Sequence, residues 1–234
     1  MKTALNVPSN RITVLLDQDA SRNAIINAFE SLRVNDDIRL GDPILIFYAG
    51  HGAEIVDGDA KETRKIQAII PQDHDGITVH PIPDRTVGGL LAQIHKVKGD
   101  NIVSGSTLPI LFCSNGVQTV ILDCCHSGGM CRDNDNGQFL VRAAEIDKSY
   151  RLPHDLDSES GITELARGMK PVTTFASGAF NTHVLLAACS DTELARESGG
   201  RGRFTTALLN LLYVTPLERL SYYEILTLME KIDG

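Results

Sequence analysis

Two segments of this sequence close an apolar run with a reactive side chain followed by glycine. The first is Ile44-Leu-Ile-Phe-Tyr-Ala-Gly-His51-Gly52; the second is Val120-Ile-Leu-Asp123-Cys124-Cys125-His126-Ser127-Gly128. A thiol becomes a nucleophile at neutral pH when a base or a positive neighbour draws off its proton, and imidazole is the usual base. His51 and a cysteine near position 125 are therefore candidates for nucleophilic attack on a carbonyl. The adjoining glycines let a substrate backbone approach closely and supply N–H donors for an oxyanion. Zinc is the competing chemistry for Cys124, Cys125, His126 and Cys131. Their spacing matches no common structural zinc pattern, and no second Cys/His pair stands at a suitable distance. Taken singly, a His after a strand is more often structural and a buried Cys is usually a small hydrophobe. The two motifs together, each closing a strand, are far more specific than either alone.

Such a pair needs a scaffold that brings strand ends together. Five apolar runs, Arg11–Leu16, Pro43–Ala49, Ile66–Pro71, Thr119–Asp123 and His183–Cys189, read as strands. Their continuous rather than alternating apolarity suggests burial on both faces, as in a parallel sheet. Helical stripes separate them. Ile25, Phe29 and Leu32 follow Ser21; Val87, Leu90, Leu91 and Ile94 run from an N-cap at Asp84 to Gly99. Phe204, Leu208, Leu211 and Leu212 form a third stripe. A fourth spans Ser221–Ile232, with Ser221 and Glu224 as a capping box. Strands alternating with helices predict an α/β fold with helices on both faces of the sheet. In such a sheet the carboxyl ends of the strands line the ligand crevice, where His51 and Cys125 fall. Residues 131–182 show little periodicity and are expected to be a mobile linker.

Composition narrows the function classes. The chain has 234 residues, enough for one domain, and a net charge of −8 with a pI near 5.3. That balance argues against a nucleic-acid binder, which needs a basic face. No run of 18 apolar residues is present, so no membrane-spanning helix is expected. The start shows no secretory signal. Five cysteines without a signal predict reduced thiols and a cytoplasmic location.

The chain resembles the caspase-like cysteine peptidases, and most closely the type I metacaspases of the fungal kind. The resemblance rests on Phe47-Tyr-Ala-Gly-His51-Gly52, Asp123-Cys-Cys125-His126-Ser127-Gly128, and His183-Val-Leu-Leu-Ala-Ala-Cys189 with Glu193-Leu-Ala-Arg-Glu197. Ile82-Pro-Asp-Arg-Thr86 also looks like this group. It implies a caspase-like sandwich with a mostly parallel central sheet, made of one peptidase domain over residues 1–234. Residues 1–130 would be its large-subunit-like part and residues 183–234 its small-subunit-like part.

It further implies a Cys125/His51 dyad. Cys125 is preferred to Cys124 because the family places His-Ser-Gly directly after the nucleophile. The N–H groups of Gly52 and Cys125 would form the oxyanion hole. Asp123 would line the S1 pocket and favour cleavage after Arg or Lys; the competing role for it is a strand-end carboxylate capping a helix. No cofactor is needed for the chemistry. Calcium as an activator is a further implication, with Asp73, Asp84 and Asp133 as candidate ligands. Protein or peptide substrates with basic P1 residues are expected, and a monomer.

The chain departs from the family in three places. The family's first strand, which lies inside the sheet, is not expected in this chain, and Ala49 replaces a common Ser. Sixteen residues, Val103–Gln118, stand between Ile102 and the strand at Thr119 where relatives run almost directly on. We read them as translated intron sequence, against the alternative of a lineage-specific surface loop. The rival to a peptidase is an impaired caspase-like scaffold or regulator.

Overall fold

A computed structural model describes residues 7–57, 65–99, 118–124, 140, 141, 144, 146, 147, 149–153, 156, 157, 184–188, 195–215 and 221–229. The expected linker lies largely outside these residues, as do most of Val103–Gln118, Cys125 and Asp133.

Among the described residues, three strands make the parallel sheet that the apolar runs predict: β1 (Ile44–Ala49), β5 (Gln118–Asp123) and β8 (Val184–Ala187), in the order β1-β5-β8. Their register pairs Ile44 with Gln118 and ends with Ala49 opposite Asp123. Alternation along β5 divides its side chains between two cores, because successive side chains leave a strand on opposite faces. Val120, Leu122 and Cys124 pack with Ile25 and Phe29 of α1 (Arg22–Val34) and with Leu90, Leu91 and Ile94 of α2 (Asp84–Lys98). On the opposite face, Ile121 packs with Leu186, with Phe204, Leu208 and Leu212 of α3 (Arg203–Val214), and with Ile225 of α4 (Tyr222–Leu228). Both helix layers are thus present, and the chain is a caspase-like α/β sandwich.

A second sheet has the order β4-β3-β2-β7, made of β2 (Gly52–Asp57), β3 (Lys65–Ile69), β4 (Ile82–Pro83) and β7 (Arg151–Leu152). A third pairs β6 (Leu140–Val141), β9 (Arg196–Ser198) and β10 (Arg201–Gly202).

Four expectations are corrected. The run Ile66–Pro71 does form a buried strand, β3, but it pairs antiparallel with β2 outside the parallel sheet. Continuous apolarity reports burial and says nothing of strand direction. Arg11–Leu16 is no strand: Arg11 ends a 3-10 turn, and residues 12–16 run on without ladder pairing. No described strand stands beside them to pair with, and Val14 and Leu16 are 51% and 65% exposed. The stretch 131–182 contains β6 and β7, two-residue strands too short to leave a period in the sequence. Lastly, Asp84 is the first helical residue of α2, and Pro83 holds the N-cap position. The other caps are as expected. Ser21 caps α1 by accepting from the Ala24 N–H, the Ser221/Glu224 capping box opens α4, and Gly99 ends α2 at a φ of 100°.

Candidate active site at the carboxyl ends of β1 and β5

β1 delivers His51 two residues after Ala49, and the imidazole is exposed. Its backbone is tied down. The His51 carbonyl accepts from the Ile70 N–H at 3.0 Å, where β3 ends. The Tyr48 hydroxyl lies 2.8 Å from the same carbonyl oxygen and 3.0 Å from that of Ile70, so its single proton is shared between them. The ring of Tyr48 folds back over Gly50, where an added Cβ would meet the hydroxyl oxygen at 2.6 Å. Only glycine fits between them.

Gly52 opens β2 opposite Ile69. The bond from Ile70 N to His51 O brackets that pair, so Gly52 is a non-hydrogen-bonded position of the antiparallel ladder. Its own N–H and C=O therefore point away from β3. The carbonyl accepts from the Ala144 N–H at 3.0 Å. The geometry leaves Gly52 suited to offer a backbone donor beside His51.

Asp123 ends β5 on the α3 face and is completely buried. Its Oδ2 accepts from the Thr205 N–H at 3.2 Å and from the Thr205 hydroxyl, in the first turn of α3. A carboxylate there satisfies a helix donor and complements the positive end of the helix dipole. Gly202, just before α3, passes so close that an added Cβ would lie 1.9 Å from Oδ2. Cys124 is completely buried among the α1 and α2 side chains, where no substrate reaches it. Cys125 lies outside the described residues.

Of the calcium candidates, Asp73 and Asp84 fall among the described residues. Asp73 Oδ1 accepts from the Arg22 N–H at 2.8 Å, and the largely buried Asp84 accepts from the Arg85 N–H at 2.6 Å. Asp133 lies outside the described residues. Calcium takes six to eight oxygen ligands. Among the described residues, no group of three or more His, Cys, Asp or Glu side chains is placed to hold a metal ion. Asp73 and Asp84 by themselves do not fit the ion. No described helix is long and apolar enough to cross a membrane.

Sequence reasoning missed Tyr48, Thr205 and Gly202 as parts of this site. Tyr48 stood inside the quoted His51 motif, and that was the available signal. Thr205 lies 82 residues from Asp123, and nothing local in the sequence joins them.

An α/β sandwich whose parallel strands present His51 and Asp123-Cys124 at one end is the architecture of a caspase-like peptidase. The family model of the caspase domain matches residues 5–232, and the chain belongs to that family. Membership in a peptidase family implies protein or peptide substrates. Among solved structures, the crystal structure of the Geobacter sulfurreducens protein GSU0716 is similar, with a TM-score of 0.58. The match covers 94% of this chain and 71% of that one at 18% identity, a likeness of fold alone. No curated protein matches the sequence.

Proposed function

We propose that the chain is a metacaspase-type cysteine endopeptidase that cleaves after Arg or Lys through a Cys125/His51 dyad. The observation that carries the reading is the register of β1 against β5. Ala49 stands opposite Asp123 on adjacent parallel strands, about 4.8 Å apart. His51 and Cys125 each follow by two residues, so the sequence leaves the sheet toward both from the same level. The burial of Cys124 also supports Cys125 as the nucleophile. The Cys125 thiolate attacks the scissile carbonyl, and the oxyanion is held by the N–H groups of Gly52 and Cys125. His51 protonates the leaving amine. Water then hydrolyses the thioester with His51 as base, and the thiolate is regenerated. A reducing, cytoplasmic setting suits a nucleophile that must remain a thiol.

The preference for basic P1 residues rests on the resemblance at Asp123, a carboxylate at the same sheet end that is completely buried, so a P1 cation reaches it only when the side chains around it shift. A second role for it is favoured by its bonds to Thr205, which make it a cap of α3. Cys125→Ala and His51→Ala should each abolish hydrolysis of Arg- and Lys-P1 peptides, while Cys124→Ala and His126→Ala retain it. Asp123→Asn should cut kcat/KM on basic substrates roughly ten- to a hundredfold, the loss of one charge-assisted bond. If Asp123→Asn lowers stability and leaves selectivity between Arg and uncharged P1 unchanged, the carboxylate is only a helix cap. Activity in Cys125→Ala would refute the dyad.

A further inference from the structure

The segment following β6 returns across the second sheet to the site. Ala144 donates to the Gly52 carbonyl, Arg151–Leu152 pair parallel with Val56–Asp57, and Tyr150 and Leu152 pack on the Ala53, Ile55 and Ile66 core. Its far end is fastened by charge. Asp157 Oδ1 stands 2.6 Å from Arg22 Nη2, the two side chains being 7% and 13% exposed. Asp157 Oδ2 accepts from the Thr86 hydroxyl at 2.6 Å. Arg22 is the first residue of α1 and is itself held to the β3–β4 loop by its N–H on Asp73. Asp157 therefore joins both helices of one layer to the segment that bonds Gly52, α1 through the ion pair and α2 through the Thr86 hydroxyl.

We propose that Arg22 and Asp157 are positioning residues that act through this strap on Gly52, the residue beside His51. This rests on the peptidase reading for the role given to the Gly52 N–H. The physical argument is local stability. A two-residue strand, one backbone bond and the packing of Tyr150 and Leu152 hold the middle of the segment, and its end beyond Leu152 opens on its own unless a buried contact anchors it. A buried ion pair with one partner removed leaves an uncompensated charge, and the strap end is then expelled. Gly52 loses its carbonyl partner, and the donor beside His51 loses its fixed direction. An oxyanion donor acts in the transition state, so the loss falls on kcat rather than on KM.

Asp157→Asn is the informative variant. Asp157 has a φ of 65°, a left-handed conformation that Asn tolerates, so the charge is removed without backbone strain. Hydrogen exchange followed amide by amide should show Ala144 and Leu152 exchanging about tenfold or more faster, with the β5 amides unchanged. Arg22→Gln should do the same, and the double variant should be no worse than either single one. In all three, kcat on a basic-P1 peptide should fall about tenfold or more with KM nearly unchanged. Unchanged exchange at Ala144 would overturn the proposal, as would faster exchange with kcat unaffected. Faster exchange throughout β5 would overturn it too, by making the pair a global stabiliser. A wild-type chain without hydrolysis would count against the peptidase reading instead, and the Ala144 exchange would still decide for or against the latch.

Discussion

The Tyr48 hydroxyl reaches the carbonyls of both His51 and Ile70, and so joins the end of β1 to the end of β3 at the point where the imidazole leaves the sheet. A His whose backbone is held at two points keeps its ring over a smaller range, which is what a base poised for one proton needs. Tyr48→Phe removes the hydroxyl and leaves the ring. It should cost about 0.5–1.5 kcal/mol of stability, the usual net value of one hydrogen bond, and lower kcat with little change in KM. Gly50→Ala should produce the same kinetic change, because its Cβ drives the Tyr48 ring off the two carbonyls. The Tyr48→Phe/Gly50→Ala double variant should then be no worse than Gly50→Ala alone, measured by urea unfolding and steady-state kinetics. His51 itself was legible because its neighbours Gly50 and Gly52 mark the end of an apolar run. The role of Tyr48 was not, since a tyrosine inside an apolar run reads only as core.

Among the elements, β5 and α3 are coupled through Asp123, and the coupling depends on a bare backbone at Gly202. Gly202→Ala places a methyl where the Asp123 carboxylate now sits. The carboxylate must leave Thr205 or α3 must shift, and overpacking of this kind costs about 1–3 kcal/mol. Thr205→Val, which removes only the hydroxyl, should cost less. Chemical denaturation of both variants checks the order. The three described parallel strands and the four described α-helices were readable from apolar runs and 3.6-residue stripes, because each buries a long enough face to leave a period. The direction of β3 was not readable. Two-residue strands such as β4, β6, β7 and β10 leave no period at all, and they form because a longer strand offers them an edge.

For the molecule as a whole, the region around the strap carries a response to acid. Burial, and then the positive charges of Arg22 and His74, hold the His80 imidazole below its ordinary pKa of 6.5, against the opposing pull of Asp75 and Asp157. The folded state therefore prefers the neutral ring. Above pH 6.5 both states are neutral and nothing is lost; as pH falls below 6.5 through the folded pKa, stability falls. The ring's Nδ1 lies 2.7 Å from the Tyr150 hydroxyl, so the loss is expected in the strap first. Thermal unfolding between about pH 7.5 and pH 5 should show a decline in the wild type that His80→Asn flattens. Carboxylates with lowered pKa, such as Asp147 beside Ser149, lose their contribution only in a more acidic range.

The dyad is tested most directly by the reactivity of Cys125 itself. A cysteine with an ordinary pKa near about 8.5 is only a few per cent thiolate at neutral pH, so pairing with His51 should raise its alkylation rate about tenfold or more. Native protein is treated briefly with iodoacetamide at neutral pH, and each cysteine is followed by peptide mass mapping. Cys125 should be modified first, the buried Cys124 should stay untouched, and His51→Ala should slow Cys125 to the rate of an ordinary exposed thiol. Modification of Cys124 before Cys125, or a Cys125 rate indifferent to His51→Ala, would refute the dyad.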